Sequence, residues 1–400
     1  MDAETNQNIR VLVDSTGRRL SRREVLRLAA GFGLSMPVIA GLLAACGGDD
    51  DDGAAGENGD GGEYFFAFAN VLESGELFVQ FGDGVIEAAE VAGVRVKRYN
   101  NNLDAETTLS NARLMVQDQP DLILEYNGVE GIGESLRQIF DDANIPFIAI
   151  NVPIPGGHWF NLVNREIGAD TARVVVPIAQ EMGWTAADTT VLIVQGSTAG
   201  VEVNDCVRYF YVTAAEMMGM EEVAPESITA ETTRISDTGL QVDGLATLEE
   251  SYTAVNNALQ TIPEDRHILL YTINDDSTIG AWRAVTEAQR DANTLVAGLG
   301  GSVAALQELR NNPQWVAEGS IFTTNWGQYL IAMGIAVMED MEIPELTKSP
   351  QVILTKETVD TYYDADGHVK LLPPLVPENE YLAETGVLQK FNNIEGLESS

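Results

Sequence analysis

Several apolar, strand-like runs in this sequence end in an asparagine or in a short polar group. Asn127 ends the run DLILEYN, Asn151 ends FIAIN, and Asn274-Asp275 follows HILLYTI. An amide side chain both donates and accepts hydrogen bonds, so it suits a ligand that carries several hydroxyl groups. Asparagine also opens turns without any ligand, and Asp275 is well placed to cap the helix that follows it. The residues alone leave both interpretations open.

The aromatic segment His-Trp-Phe at 158–160 offers the second kind of contact that a polyhydroxylated ligand needs. Trp159 follows a run rich in proline and glycine, close to the point where two similar halves of the chain meet. An aromatic ring stacks on the weakly apolar face of a sugar ring, so Trp159 is a candidate binding residue. Packing at the junction between the halves is an equally good interpretation of this ring.

Residue patterns of catalysis or metal binding do not occur at the required spacing. The three histidines, His158, His267 and His368, are far apart in the chain, and none belongs to an HExxH motif. The segment GSTAG at 196–200 does not match the nucleophile-elbow motif. We therefore expect a protein that is not an enzyme, with no catalytic residue, no metal and no cofactor.

Strand-like and helix-like patterns alternate from residue 63 onwards. Strands are expected at residues 63–69, 94–99, 121–126, 147–151, 189–196, 267–275, 294–300, 320–325 and 351–355. Helices are expected at residues 77–91, 104–117, 133–143, 167–182, 201–219, 246–261, 277–290, 302–310 and 327–340. This alternation indicates two α/β units with parallel sheets, joined near residues 155–163, in which ligands bind beyond the carboxyl ends of the strands.

The first 45 residues are typical of an export signal. The pair Arg22-Arg23 precedes an uncharged stretch, residues 28–45, that ends in Leu-Ala-Ala directly before Cys46. The paired arginines resemble a twin-arginine signal, and small residues before a cysteine resemble a bacterial lipobox. We expect Cys46 to be lipidated, which would anchor the protein outside the cytoplasm by its lipid. An uncleaved transmembrane anchor is the alternative, because a stretch of this length can just span a bilayer.

The chain is strongly acidic, with 61 acidic and 23 basic side chains and a net charge of −38. Part of this charge lies in residues 46–62, where aspartate and glycine dominate and predict a solvated tether. Such a negative field repels phosphate backbones, so we expect no nucleic-acid partner. The hydrophobic content of 45% is sufficient for a large folded core.

Three long segments resemble the type I periplasmic sugar-binding proteins, in particular the ribose-binding group. They are residues 78–128, 143–153 and 269–288, and the likeness extends over about residues 63–355. The resemblance implies two doubly wound parallel-sheet lobes that are joined by hinge strands and close around a small ligand. A membrane permease of the ABC type would then recognise the closed form.

The resemblance also divides the chain into lobes. The N-terminal lobe would consist of residues 63–160 plus 327–355, and the C-terminal lobe of residues 161–326. Residues 356–400 would form a C-terminal extension on the surface.

Further ligand-binding candidates follow from the resemblance. Phe78 stands where the family has a stacking aromatic, and Asn274 where it has a ligand-binding asparagine. Packing offers an alternative for two of the aromatics, since Phe78 can be the first core residue of its helix and Trp326 can fill the hinge. The residues assigned by resemblance are Glu73, Phe78, Asn204, Asn274, Asn325 and Trp326, and Asp275 is kept beside Asn274.

The sequence departs from the family pattern at three positions. Asn151-Val152 replaces an aspartate-arginine pair, Asn204 stands near a family arginine, and Gly300-Gly301 replaces an aspartate. Ribose specificity therefore does not transfer, and the ligand is expected to be a sugar, a polyol or a similar small molecule.

We expect an exported, lipid-anchored solute-binding protein of an ABC-type importer. One alternative is a receptor subunit that senses a sugar-like signal. Another is an extracellular carbohydrate-active enzyme, in which Glu73 and Asp275 would act as an acid/base pair.

Overall fold

The computed structural model describes residues 64–398 apart from residue 75. The expected export signal, Cys46 and the whole predicted tether lie outside these residues. Among the helices of the described part, none combines the length and the apolar character needed to cross a membrane.

Thirteen strands of the described chain build two sheets. In chain order they are β1 (Phe65–Asn70), β2 (Arg95–Asn100), β3 (Leu122–Asn127), β4 (Phe147–Asn151), β5 (His158–Asn161), β6 (Thr189–Gln195), β7 (Arg234–Ser236), β8 (Gly239–Asp243), β9 (His267–Thr272), β10 (Thr294–Gly300), β11 (Trp315–Ser320), β12 (Leu346–Lys348) and β13 (Val352–Leu354). The first sheet has the order β12-β5-β4-β3-β1-β2 and is parallel throughout. The second has the order β13-β11-β10-β9-β6-β8-β7 and is parallel except for its edge strands β7 and β13. The expected α/β fold class is confirmed.

Helices cover the sheets and explain why the central strands are mostly apolar, whereas the edge strand β2 (Arg95–Asn100) carries charged, partly exposed residues. In chain order the helices are α1 (Glu76–Ala92), α2 (Ala105–Gln117), α3 (Gly133–Ala143), α4 (Asn164–Glu181), α5 (Gly200–Met218), α6 (Leu248–Leu259), α7 (Asp275–Glu287), α8 (Val303–Asn311), α9 (Trp326–Met338), α10 (Val359–Tyr362) and α11 (Tyr381–Glu384). In β3, Leu122 and Leu124 pack in the core that includes α1 and α9, whereas Ile123 packs with α2 and α3. Both faces of such a strand are buried, so every position favours an apolar side chain.

The chain passes between the two sheets three times. It leaves β5 for α4, which packs against β11 and β13 of the second sheet. It leaves β11 for α9, which packs against α1 and β3 of the first sheet. It passes a third time between β12 and β13, at residues 349–351. Three crossings are the number that the resemblance implies for the hinge.

One expected lobe boundary is wrong. Residues 327–355 were assigned to the N-terminal lobe, but β13 pairs antiparallel with β11 in the second sheet, with Leu354 opposite Glu318. Only the part of this segment before the third crossing, through β12, joins the first sheet.

The strand expected at residues 320–325 is also wrong. β11 ends at Ser320, and Thr323–Asn325 form a 3-10 turn instead. Phe322 has a left-handed backbone with φ of 48°, which ends any extended run at this position. Asn325 therefore lies in the second crossing and not at the end of a strand.

Candidate functional site

Loops from both lobes meet beyond the carboxyl ends of the parallel strands, where ligands bind in sheets of this kind. Glu130, in the loop after β3, reaches the start of α5, because a Cβ on Gly200 would lie only 2.7 Å from its Oε1. The Asn161 amide at the end of β5 donates a hydrogen bond of 3.2 Å to Glu202 Oε1 on α5. The two lobes thus approach each other through polar side chains.

Glu73 is held by other residues of the first lobe. Its Oε1 accepts hydrogen bonds from Arg98 Nε at 2.6 Å and from Asn70 Nδ2 at 3.0 Å. Asn70 is fully buried at the end of β1, and its amide also donates to the carbonyl of Phe78 at 3.0 Å. This network fixes the loop between β1 and α1. We therefore interpret Glu73 mainly as a residue that positions Phe78.

Phe78 is half-buried in the first turn of α1, which leaves part of its ring open to a ligand. Its ring meets Tyr126 edge-on, at a centroid distance of 6.4 Å. The next aromatic on the helix, Phe81, is 1% exposed and packs edge-on against both Tyr126 and Trp326. Phe81 is thus the core residue of this helix, and Phe78 remains a candidate stacking residue.

Asn127 is fully buried and forms a local turn. Its Oδ1 accepts from the amide of Val129 at 2.9 Å, and its Nδ2 donates to the carbonyl of the same residue at 3.0 Å. The structure thus supports the turn-forming interpretation of Asn127. Contact with a ligand stays a prediction for this residue.

Asn151 ends β4, and Trp159, the second residue of the neighbouring β5, contacts it. Trp159 Nε1 donates to the carbonyl of Asn151 at 2.9 Å. Asn151 has a left-handed backbone with φ of 68°, a conformation that asparagine tolerates better than most residues. Both side chains are half-buried, so both keep surface that a ligand can contact.

Asn204 closes the loop between β6 and α5 and has no donor left for a ligand. Its Nδ2 donates to the carbonyls of Gly196 at 2.8 Å and of Gly200 at 2.7 Å, which uses both N–H groups. Its Oδ1 accepts from the amide of Gly196 at 3.0 Å. The side chain is 3% exposed. We therefore interpret Asn204 as a structural residue and not as a replacement for the family's arginine.

Asn274 is the N-cap of α7. Its Oδ1 accepts from the amide of Ser277 at 2.9 Å, and its Nδ2 donates to the carbonyl of Ala246 in the loop after β8 at 3.0 Å. The capping role expected for Asp275 thus belongs to Asn274. The half-buried Asn274 side chain ties two strand-end loops of the second lobe together.

Asp275 forms a buried carboxyl pair with Glu318 of β11. The amide of Ser302 donates to Asp275 Oδ2 at 2.6 Å, and Trp315 Nε1 donates to Glu318 Oε2 at 3.1 Å. Burial and the neighbouring Asp275 carboxyl raise the pKa of Glu318 well above its usual range. Burial raises the pKa of Asp275 as well, so the protonated form is favoured in this carboxyl pair, most strongly at Glu318. The pair holds the N-termini of α7 and α8 close together.

The glycine at position 300 leaves the space that this pair occupies. A Cβ on Gly300 would lie 2.6 Å from Asp275 Oδ2, and the residue has φ of 149°. Where the resemblance implies an aspartate, this chain has a glycine, and the Asp275 carboxylate fills the space beside it.

Trp326 is a packing residue of the hinge. It is 4% exposed, its ring meets Phe160 edge-on at 5.3 Å, and its Nε1 donates to the carbonyl of Ile321 at 2.6 Å. We therefore prefer the hinge-packing interpretation over stacking on a ligand. The preceding Asn325 is half-buried, and its Oδ1 accepts from the hydroxyl of Thr324 at 3.1 Å.

Three polar residues at the meeting point of the lobes were missed by sequence reasoning. They are Glu130, Asn161 and Glu202. Asn161 is 1% exposed, and its Oδ1 has no hydrogen-bond partner among the described residues. Partial desolvation of the carboxyl and the nearby Asp205 raise the pKa of Glu202, although its side chain as a whole is exposed. Asn161 ends the run HWFN in the same way as Asn151 ends FIAIN. The search for asparagines at the ends of strand-like runs could therefore have found Asn161.

The candidate side chains of these loops can bind hydroxyl groups, because amides and carboxyls both form hydrogen bonds with them. They are amides, carboxyls and half-buried rings, and Arg98 is paired with Glu73 and Asp83.

One group in the described residues has side chains close enough to hold a metal ion. The ligand atoms of Asp364, Asp366 and His368 lie within 4.8 Å of one another in the C-terminal segment. Exposed acidic groups of this kind are common in proteins without an ion. The hydrogen bonds from the amides of Asp366 and His368 to Asp364 explain the arrangement as a tight turn.

Solved structures similar to this chain have the same two-lobed plan. A periplasmic solute-binding protein of an ABC transporter from Actinobacillus succinogenes 130z, with bound D-allose, has a TM-score of 0.61 and 17% identity, over 75% of this chain and 100% of the other. A solute-binding protein from Bacillus halodurans C-125, with bound myo-inositol, has a TM-score of 0.60 and 15% identity, over 76% and 99%. A periplasmic ribose ABC transporter protein from Conexibacter woesei has a TM-score of 0.58 and 19% identity, over 76% and 96%. These likenesses confirm the type I periplasmic-binding-protein fold.

Sequence comparison gives the family. No curated protein sequence matches this chain. Residues 66–339, which include nearly all of the first sheet's core strands and most of the second sheet, match the periplasmic binding protein domain family. The chain therefore belongs to the periplasmic binding protein domain family.

Proposed function

We propose that this chain is the solute-binding protein of an ABC-type importer and that it captures a neutral sugar or polyol between its lobes. The observation that carries the proposal is the arrangement of two parallel sheets whose strand-end loops meet across a hinge of three crossings. In such a molecule, contacts that form only when both lobes touch the ligand stabilise the closed state. A permease that recognises this state then receives the ligand.

The ligand chemistry is inferred from the candidate side chains. Phe78 and Trp159 have partly open rings, Asn151 and Asn274 supply amides, and Glu202 supplies a carboxyl. Partial desolvation raises the pKa of the Glu202 carboxyl, and in either protonation state this carboxyl can bind a hydroxyl group. The rings match a ring face, and the amides match hydroxyl groups. D-allose and myo-inositol, which are bound in two of the similar structures, are ligands of this class.

The cellular location follows from the family and from the N-terminal sequence. Periplasmic binding proteins act outside the cytoplasm, and Cys46 after Leu-Ala-Ala supplies the attachment point for a lipid. The acidic tether of residues 46–62 then separates the folded lobes from the membrane surface.

A sensing role would use the same cleft, with a membrane sensor in place of the permease. The enzyme alternative has less support, because both of its proposed carboxyls are engaged elsewhere. Glu73 is paired with Arg98, and Asp275 is buried against Glu318. Neither is positioned by the structure as an acid/base pair.

A thermal-shift screen of the purified protein against pentoses, hexoses, polyols and nucleosides tests the proposal. We expect one or a few neutral hydroxylated compounds to raise the melting temperature and to be recovered unchanged after incubation. Conversion of a compound would contradict a binding function. Absence of stabilisation by every one of these neutral compounds would contradict the proposed ligand class.

A further inference from the structure

The C-terminal segment, residues 356–398, is attached to the second lobe beside the hinge. The Tyr363 hydroxyl lies 2.6 Å from Ser320 Oγ, and the Tyr363 ring stacks on Phe322 at a centroid distance of 5.5 Å. Arg310 Nε on α8 donates to Asp360 Oδ1 at 2.9 Å. We call this segment the C-terminal strap.

The same strap is attached to the first lobe. The Tyr381 hydroxyl lies 2.6 Å from Thr347 Oγ1 on β12. The Asn379 side chain forms hydrogen bonds with both backbone groups of Lys348. Its Nδ2 donates to the Lys348 carbonyl at 2.7 Å, and its Oδ1 accepts from the Lys348 N–H at 3.2 Å. The helix α11, which begins at Tyr381, packs against α9.

The strap is folded, so it cannot extend freely between its two attachments. The amide of Leu372 donates to the carbonyl of Asn393 at 2.6 Å, and the amide of Glu395 donates to the carbonyl of Leu372 at 3.0 Å. Leu372, Leu382 and Leu388 are fully buried. Pulling the two attachments apart would break these bonds or expose this apolar surface to water.

Both tyrosine hydroxyls contact strands close to the points at which the chain passes from one lobe to the other. Ser320 is the last residue of β11, directly before the crossing at 321–325. Thr347 is in the middle of β12, two residues before the crossing at 349–351. A rotation of one lobe relative to the other requires backbone changes at these crossings.

The attachment at Tyr363 also touches the candidate site. A Cβ on Gly301 would lie 3.0 Å from both the Tyr363 hydroxyl and Ser320 Oγ. The amide of Gly301 in turn donates to Glu318 of the buried carboxyl pair at 3.2 Å. The strap is therefore packed directly against the loop after β10.

The similar structures suggest that such a strap is an addition to the shared fold. They are covered almost completely, whereas about a quarter of this chain lies outside each match. The residues before Tyr64 are too few to account for that quarter, and the family match ends at residue 339.

We propose that the C-terminal strap bridges the two lobes across the hinge and limits their rotation, with Tyr363 and Tyr381 as its two attachment points. The device goes beyond ligand capture and needs no ligand to act. When either attachment is lost, the strap no longer connects the two lobes. The backbone at both crossings then opens to solvent more often.

Amide hydrogen exchange of the ligand-free full chain tests this proposal, with the variants Tyr363→Phe and Tyr381→Phe. Each variant loses one hydroxyl contact, which corresponds to about fivefold faster exchange in the segments that the contact restrains. We expect faster exchange at both crossings in each variant. Tyr363→Phe should thus affect residues 349–351, and Tyr381→Phe should affect residues 321–325.

Tyr209→Phe is the matched control, because the Tyr209 hydroxyl has no hydrogen bond among the described residues. It should leave exchange at both crossings unchanged. A change confined to the crossing next to the altered tyrosine would reduce the strap to local packing and overturn the proposal. Equal acceleration in the central strands β3 and β10 would indicate general destabilisation and would also overturn it.

Discussion

Asn274 has a structural role and still keeps hydrogen-bonding capacity that a ligand could use. Its amide oxygen accepts one bond from Ser277, and its nitrogen donates one bond to Ala246. An amide oxygen accepts two hydrogen bonds and an amide nitrogen donates two, so one acceptor and one donor remain. Asn204 differs, because both of its N–H groups are used internally.

We predict that Asn274→Ala weakens ligand binding at least about tenfold, since the remaining donor and acceptor of this amide are lost from the cleft. The same change removes the N-cap of α7 and should lower the free energy of unfolding by about 1 kcal/mol. Calorimetric titration and urea unfolding measure the two effects.

Asn274→Asp separates these effects. The aspartate keeps an oxygen for the cap but has no N–H group for Ala246 or for a ligand. It should therefore retain most of the stability and still bind weakly. Unchanged affinity in Asn274→Ala would remove this residue from the site.

Sequence reasoning located the strand ends but could not say what their side chains do. A strand-end asparagine that caps a helix, as at Asn274, has the same sequence pattern as one that closes a turn, as at Asn127. The difference depends on which backbone amides come within about 3 Å, and this is fixed only by the tertiary fold. The role of Asn204 was missed for the same reason.

At the scale of the elements, two strands, β3 and β11, each contain a buried carboxyl group. Glu125 lies in the middle of β3 with no exposed surface and accepts a hydrogen bond of 2.6 Å from Asn101 Nδ2. Burial raises the pKa of Glu125 from 4.5 to about 8. The carboxyl is therefore protonated in the folded protein at neutral pH.

We predict that stability falls as the pH rises from about 4.5 to about 8, and that Glu125→Gln makes this fall less steep. In that window the unfolded chain has released the Glu125 proton and the folded chain still holds it. The folded state thus binds more protons, and its stability decreases by up to about 1.4 kcal/mol per pH unit for this group.

Urea unfolding at pH 5, 6, 7 and 8 measures this slope. Glutamine keeps an oxygen for Asn101 and does not titrate, so the folded structure should be retained. Equal slopes for the two proteins would show that Glu125 does not titrate abnormally.

Strands with continuous apolar runs were predictable from the sequence, and those with buried polar residues were not. β4 and β10 have the expected bounds, because their residues are apolar and both sheet faces are covered. The sequence prediction placed β11 five residues too late in the chain. A glutamate such as Glu318 is normally exposed, and its buried partner Asp275 is known only from the structure. The short strands β5 and β12 were also missed, since three or four residues carry too little periodicity.

At the scale of the whole molecule, the chain combines a folded body with an acidic segment, residues 46–62, that is predicted to be a tether and begins at the predicted lipidation site. The net charge of −38 repels other anionic surfaces. The strap adds a further connection between the lobes, beyond the three crossings.

We predict that Cys46→Ser releases the protein from the membrane fraction, because the thiol that would carry the lipid is lost. Cys206→Ala is the matched control, since Cys206 is fully buried and should leave anchoring unchanged. Membrane fractionation with immunodetection measures the outcome. Continued membrane association of Cys46→Ser would favour the uncleaved-anchor alternative.

Calorimetric titration of the purified protein with neutral pentoses, hexoses and polyols tests the central claim most directly. The account predicts saturable binding of about one molecule per chain, with a Kd in the micromolar range or below for at least one compound. Absence of saturable binding across all of these neutral hydroxylated compounds would contradict it.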